Sequence, residues 1–454
     1  MNVMKENSMT SGNILKQLIW FSIPLLLGNL FQQLYNTVDS VIVGNFVGKS
    51  ALAAVGASAP IINMLVGFFM GLATGASVVI SQYYGAKDEK RLHDAVHTSM
   101  ALTIVVGIVM TVIGSVLSPL MVSLIGTPQD VFDNATLYLQ IYFYGVLGLM
   151  VYNMGSGILR AVGDAKRPLY FLILSSVINI VLDYVFVVYF GMGIAGVAWA
   201  TLIAQCTSAI LVMILLIRTK EPYRINLKDL KMNKEMLKKV VAIGLPSGIQ
   251  QSIVSFSNVI VQSYINGFGS GAMAGNSAWT KIDSFIMLPM QSFGLAATTF
   301  TGQNLGAKQP ERAQKGARTA LWLSISVTIF LSILVFLNGT TLLNIFSSDE
   351  EVHYYGNLLM NTYIPGYLFL CMVQIFAGVL RGAGEATPPM VTMIMCYVVV
   401  RQIYLAAVSH FAHSFILTMM GFPLTWTLCA LLLYLHYRKK TWLHSSKIVE
   451  HEAA

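Results

Sequence analysis

Residues 82–91 read QYYGAKDEKR, and residues 303–312 read QNLGAKQPER, 221 positions later. The same spacing relates ILRAVGDAKRP at 158–168 to VLRGAGEATPP at 379–389. A constant offset across two separate motifs indicates that the second half of the chain is a copy of the first. Two homologous halves in an apolar chain suggest a substrate path between them.

Two prolines extend the repeat towards the N-terminus. Pro24 and Pro246 are related by an offset of 222, so one residue has been gained or lost between the copies. Proline lacks a backbone N–H, and inside a helix it provides a point of bending. We therefore expect a hinge at Pro24, within the first helix of the chain.

The composition places the chain in a membrane. Its 454 residues are 56% hydrophobic and 11% charged, with a mean hydropathy of +0.67. Apolar runs match the roughly 20 residues that a helix needs to cross about 30 Å of hydrocarbon, and they lack the alternation of a membrane β-barrel. The predicted spans are residues 17–40, 52–80, 97–118, 134–158, 169–189, 194–217, 240–264, 274–300, 318–340, 354–379, 390–410 and 414–437.

The formal net charge of +8 reports orientation rather than a nucleic-acid partner. Lys and Arg concentrate at the two termini and in the connections after every second span, and Lys49 alone lies in one of the other connections. By the positive-inside rule, both termini and these basic connections face the cytoplasm. We expect a multi-pass protein of the cell (inner) membrane that is monomeric and contacts the lipid bilayer and small organic substrates.

The predicted fold class is an all-α polytopic membrane protein. Twelve transmembrane helices form two six-helix lobes, related by a pseudo-twofold axis along the membrane normal. We expect residues 1–217 to form the N-terminal lobe and residues 218–239 a basic cytoplasmic linker. Residues 240–454 form the C-terminal lobe with a short cytoplasmic tail.

Sequence motifs for enzyme chemistry are absent. The chain contains no GxxxxGK[ST], HExxH or GxSxG sequence, and its four cysteines all fall within predicted spans without CxxC spacing. We therefore predict a transporter without a cofactor, driven by an ion gradient rather than by ATP.

Acidic residues inside the spans are the leading functional candidates, because a charge at the bilayer centre costs roughly 3 kcal/mol on insertion scales. Asn179 and Asp183 are four residues apart and share one face of the fifth span. Thr201 in the sixth span lies at a similar estimated depth, and Asp39 is late in the first span. These four residues are the predicted cation-coupling site. Hard cations prefer oxygen ligands, and two adjacent carboxylates can equally share a proton, so Na⁺ and H⁺ both remain open.

The second half of the chain lacks counterparts of these four polar residues. At the repeat offset, Asp183 corresponds to Tyr404 and Thr201 to Phe422. Arg401 lies beside the counterpart of Asn179, where its positive charge would repel a cation. We predict a structural ion pair in which Asp283 neutralises Arg401, with Lys281 sharing the carboxylate.

Pro24, Asp39 and the four motif segments quoted above resemble the MATE (multidrug and toxic compound extrusion) family of cation-coupled efflux transporters, over nearly the whole chain. The resemblance implies two lobes around a central cavity that opens alternately to each side. Within the family, the DinF-like branch couples through an Asp on span 1, an Asn and an Asp on span 5 and a Thr on span 6. Asp39, Asn179, Asp183 and Thr201 match that pattern.

The predicted function is antiport: Na⁺ or H⁺ enters while amphipathic, often cationic, drugs leave by alternating access. The alternative is a lipid or lipid-linked saccharide flippase of the same superfamily, for which a more strongly cationic cavity would be expected. The candidate residues of the substrate cavity are polar or aromatic: Tyr35, Asn36, Tyr138, Tyr142, Asn153, Gln251 and Asn258.

Overall fold

The computed structural model describes residues 8–443, and of Lys49 only the backbone. Within that range the chain forms twelve long helices, several of which include a short π-helical or 3₁₀ segment. The helices are α1 Ile14–Val47, α2 Lys49–Ala86, α3 Glu89–Leu124, α4 Gln129–Ala161, α5 Lys166–Tyr189, α6 Gly193–Arg218, α7 Lys234–Asn266, α8 Ser270–Gly306, α9 Pro310–Asn344, α10 Glu350–Gly382, α11 Thr387–Phe411 and α12 Phe415–Arg438.

The prediction of an all-α polytopic membrane protein is confirmed. Among the described helices, eleven are long and apolar enough to cross a membrane. The remaining helix, α8, has 37 residues and carries Lys281 and Asp283 along its length. In hydrocarbon each backbone polar group needs a partner within the protein, and a helix provides these partners within one segment.

The helices extend beyond the predicted spans because hydropathy marks only the part inside the hydrocarbon. The third span was predicted from residue 97, but α3 begins at Glu89. Its start is set by Asp88, whose side chain accepts a hydrogen bond from the backbone N–H of Arg91. Pro310 begins α9. At the first position of a helix the backbone N–H has no intrahelical acceptor, so a proline there removes no hydrogen bond.

The repeated motifs form equivalent turns. Lys87 follows α2 with φ 56°, and Lys308 follows α8 with φ 57°, both in the left-handed region. Gly163 after α4 and Gly384 after α10 have φ of 93° and 90°, which glycine adopts without a steric penalty. The constant offset in the sequence therefore corresponds to the same backbone turns in both halves.

Two compact units divide the chain. The first comprises Pro24–Gly248, and the second comprises Met9–Ile23 together with the residues from Ile249 onward. These limits differ from the predicted lobes, because the first part of α1 has its contacts with the second unit. Likewise, the linker and the first part of α7 have their contacts with the first unit. Hydropathy alone could not reveal which half these segments contact.

Both units are built around their fourth helix. In the first unit α4 packs against α2, α3 and α6, and in the second unit α10 packs against α8, α9 and α12. Leu139 and Phe143 of α4 are fully buried in the core of the first unit. Gly71 of α2 lies so close to α7 that a Cβ atom on it would overlap the backbone of Gly248. A side chain at either glycine would force these two helices apart.

Candidate functional site

The carboxyl groups of Asp39 on α1 and Asp183 on α5 lie close enough to interact directly, within the first compact unit. Asp183 is fully buried and Asp39 is 9% exposed. Even so, neither oxygen of Asp183, nor Oδ1 of Asp39, makes a hydrogen bond of good geometry. Buried polar atoms are nearly always paired in folded proteins, so a cluster of them without protein partners is suited to bind a ligand, an ion or water.

Asn179 and Thr201 share this property. Asn179 is 1% exposed one turn before Asp183 on α5, and both polar atoms of its amide lack a partner. Thr201 is 6% exposed on α6, which packs along α5, and its hydroxyl also lacks one. All four predicted coupling residues thus carry buried, unsatisfied polar atoms.

Three of the predicted cavity residues lie near the two carboxyl groups. Tyr35 on α1 and Tyr138 on α4 each interact electrostatically with Asp39 and Asp183. Tyr142, one turn after Tyr138, interacts with both of these tyrosines. Their hydroxyl groups therefore lie near the carboxyl groups and add polar atoms to the site.

Sequence reasoning missed one residue of this region, Gln205. It lies one turn after Thr201 on α6, its side chain is next to Tyr142, and its amide oxygen is buried without a partner. The signal was present in the sequence, because Thr201 and Gln205 have the same four-residue spacing as Asn179 and Asp183.

The helices that carry the two acids share an unusual local geometry. Val43–Val47, four residues after Asp39, and Val185–Tyr189, two residues after Asp183, are both π-helical. These segments contact each other, and both contact α6. Single π-helical turns occur often at functional sites, because the extra residue per turn shifts the side chains that follow.

The other predicted cavity residues do not join this cluster. Asn36 is exposed, and the Asn153 amide donates to the backbone carbonyl of Leu149 in its own helix. Gln251 and Asn258 are exposed and belong to the second unit. Their assignment to a substrate cavity stays a prediction.

The predicted ion pair of the second unit requires correction. Asp283 accepts a hydrogen bond from the Tyr367 hydroxyl, and no ion pair among the described residues joins it to Arg401 or Lys281. The ammonium of Lys281 lies 5.3 Å from the ring centroid of Phe346. The prediction rested on a similar estimated depth for Asp283 and Arg401, and depth does not fix the direction in which a side chain points.

Arg401 has its own partners. Its guanidinium donates to the Thr425 hydroxyl at 2.9 and 3.2 Å and to the Asn258 amide oxygen at 3.5 Å. It also lies over the rings of Phe422 and Tyr397, 4.2 and 4.8 Å from their centroids. Hydrogen bonds and aromatic faces therefore accommodate this buried cation without a carboxylate.

The first unit's cluster is suited to binding a small cation. It combines two carboxylates with amide and hydroxyl oxygens, and no basic side chain is among the residues identified in it. Such oxygens suit Na⁺, and a carboxyl pair also suits a proton. Twelve described helices and buried acids with unsatisfied oxygens together are typical of a polytopic membrane transporter.

The chain belongs to the MatE family, whose model matches residues 24–185 and 246–408, one match in each repeat. It is 32% identical over 426 residues to "Probable multidrug resistance protein YoeA" of Bacillus subtilis, covering 92% of both chains. It is 30% identical over 437 residues to "Probable multidrug resistance protein YpnP" of the same organism, covering 96% of this chain and 97% of that one.

The fold is that of solved transporters of this class. One structure, described as the outward-facing conformation of a multidrug resistance MATE family transporter of the MOP superfamily, superposes with a TM-score of 0.90. The two chains are 22% identical, with 97% of this chain and 98% of that chain covered. The resemblance to MATE transporters seen in the sequence is confirmed, and the DinF-like branch stays a prediction.

Proposed function

We propose that this protein exports small amphipathic organic compounds, often cationic ones, in exchange for Na⁺ or H⁺. The observation that carries the proposal is the set of buried, unpartnered polar atoms of Asp39, Asn179, Asp183 and Thr201. A transported cation bound there would supply the partner that each oxygen lacks.

Coupling follows from unequal binding. A ligand shifts a conformational equilibrium only if it binds the two states with different affinity. The cation site draws residues from α1, α5 and α6, so a rearrangement of these helices changes the distances between its oxygens. Cation binding would then favour one arrangement, and drug binding the other.

The identity of the exported compounds rests on the relatives. Both Bacillus relatives are named as probable multidrug resistance proteins, which favours drug efflux over the flippase alternative. The residues identified around the carboxyl pair are aromatic or carry an amide or a hydroxyl group, and none of them is basic. A site for anionic lipid head groups would need basic side chains there.

The membrane setting is proposed from the charge pattern. Basic residues at the termini and in alternate connections favour a cytoplasmic location for both ends of the chain, in the cell membrane. Each repeat contains one complete set of six helices, so we propose that the monomer is the transporting unit.

Efflux from proteoliposomes tests the proposal. A fluorescent lipophilic cation is loaded, and a Na⁺ gradient and a pH gradient are imposed separately. Asp39→Asn and Asp183→Asn should abolish gradient-driven efflux. Asp283→Asn is the matched control, because its amide oxygen can still accept the hydrogen bond from Tyr367. The proposal is wrong if Asp39→Asn and Asp183→Asn both retain full gradient-driven efflux.

A further inference from the structure

The segment before α1 is held by the second repeat motif. The backbone N–H of Met9 donates to the Gln303 side chain at 2.9 Å, and its carbonyl accepts from Asn304 and Arg312, each at 3.2 Å. Arg312 also donates to the Gln17 side chain at 2.9 Å. Gln303 and Asn304 are fully buried, and Met9 is only 3% exposed. All of these residues belong to the second compact unit.

The start of α7 and the segment before it are held at the equivalent position of the first unit. Lys239 donates to the Tyr83 hydroxyl at 2.8 Å, and Tyr83 is the repeat counterpart of Asn304. On the adjoining start of α3, the side chain of Thr98 accepts from the backbone N–H of Asn233 at 3.1 Å. His97, next to Thr98, accepts from the backbone N–H of Asn226 at 2.9 Å. These side chains differ from those that hold the segment before α1, but the two segments occupy equivalent positions in the repeat.

Each held segment leads into a helix that changes unit. The change falls between Ile23 and Pro24 in α1, and between Gly248 and Ile249 in α7. In α1 it coincides with the first repeated proline, and in α7 it comes two residues after the second, Pro246. In each unit these contacts hold the start of a helix, and the remainder of that helix belongs to the other unit.

We propose that Gln303 and Arg312 are positioning residues that clasp the start of α1 onto the second unit. The clasp holds Met9 and Gln17 in the second unit, and the rest of the same helix carries Asp39 in the first unit. In the second unit Gln303 of the QxxGAK motif holds this segment, and in the first unit Tyr83 of the same motif holds Lys239. Any influence of this clasp on transport rests on the proposed coupling role of Asp39. The hydrogen bonds of the clasp are independent of that role.

The side chains of Gln303, Asn304 and Arg312 all form hydrogen bonds with backbone atoms of Met9. Met9 is held through its N–H and its carbonyl, so its side chain can be replaced without removing these hydrogen bonds. Arg312 joins two points of the held segment, Met9 and Gln17, through two nitrogens of one planar group. A lysine at this position could reach one of these points but could not bridge both in the same geometry.

Thiol labelling of Met9→Cys in the purified protein tests the clasp. In the otherwise unchanged chain the new cysteine should react slowly with a polar maleimide, because residue 9 is buried. Adding Arg312→Ala should raise the labelling rate about tenfold or more, which corresponds to the loss of a hydrogen bond to a charged group. Arg312→Lys should restore part of the protection. The chain without the new cysteine gives the background, since its four cysteines are buried or half-buried in helices.

Arg91→Ala is the matched control, because Arg91 is the repeat counterpart of Arg312 and forms an ion pair with Asp88 at 3.4 Å in the first unit. It should leave the labelling of Met9→Cys unchanged. If Arg312→Ala does not accelerate labelling, or if Arg91→Ala accelerates it equally, the clasp is refuted. Gln303→Ala provides the same test if the arginine variant does not fold. Labelling needs no transport, so it separates failure of the clasp from failure of the proposed antiport.

Discussion

The guanidinium of Arg401 lies over the ring of Phe422, 4.2 Å from the ring centroid. At the repeat offset of 221, Phe422 is the counterpart of Thr201 in the first unit. Where the first unit presents a hydroxyl without a partner, the second unit therefore presents an aromatic face to a fixed cation. The two repeats therefore have equivalent helices but different side chains at this position.

This relationship predicts an energetic coupling between Arg401 and Phe422. In a double-mutant cycle of Arg401→Gln and Phe422→Leu, the two changes should be non-additive by about 0.5–2 kcal/mol, the range of buried cation–π contacts. Thermal unfolding in detergent measures the cycle. Arg438→Gln, at the end of α12, is the control partner for Phe422→Leu and should give additive losses. Additive losses in the Arg401 cycle would show that the ring does not stabilise the guanidinium.

Tyr367→Phe should destabilise the second unit. The change removes the hydroxyl that donates to Asp283 and leaves the buried carboxyl without that donor, at a cost of about 1–3 kcal/mol. Unfolding in denaturant measures the loss. Tyr354→Phe, at a side chain that is 61% exposed, should change the free energy of unfolding very little. Equal effects of the two variants would mean that the Tyr367 hydrogen bond contributes nothing.

Gly71→Ala should disrupt the packing of α2 against α7, because its Cβ would overlap the backbone of Gly248. We expect the free energy of unfolding to fall by about 1–3 kcal/mol or more, as for other overpacked sites. Gly56→Ala, in the same helix, meets no atom within 4 Å and should be neutral or slightly stabilising. Thermal stability and the yield of folded protein measure both. A fully stable Gly71→Ala protein would contradict the close approach.

Gln205→Leu should weaken cation binding about tenfold or more, the scale of losses on removing residues that support a metal site. Its amide oxygen is buried without a partner beside Tyr142, so leucine removes a polar atom while keeping similar bulk. Thr207→Val on the same helix is the control, because the Thr207 hydroxyl only donates to the carbonyl of Ile203. Unchanged cation affinity in Gln205→Leu would exclude Gln205 from the site.

Much of the fold could be predicted from the sequence, because hydrocarbon thickness and the repeat are strong constraints. Twelve apolar runs predicted twelve helices, and the motif at Lys87 and Lys308 marked turns that are the same in both halves. The division into units could not be predicted, since hydropathy does not show that Met9 forms hydrogen bonds to Gln303, Asn304 and Arg312 of the second unit.

The candidate site was predictable to the extent that spacing determines geometry. The four-residue interval put Asn179 and Asp183 on one face of α5, and depth estimates placed Asp39 within reach. The same reasoning was wrong for Asp283 and Arg401, because a shared depth does not fix the rotation of a helix. Asp283 points to α10, where Tyr367 donates to it, whereas Arg401 bonds to Thr425 on α12.

Equilibrium binding of Na⁺ and of protons to the purified protein measures whether Asp39 and Asp183 form a cation site. The chain with all its native acids should bind Na⁺ or take up a proton at the Asp39–Asp183 carboxyl pair, and Asp39→Asn or Asp183→Asn should abolish this site-specific binding. Asp283→Asn, which changes a buried acid of the second unit, should retain it. Full cation binding by the Asp39→Asn and Asp183→Asn proteins would contradict the account.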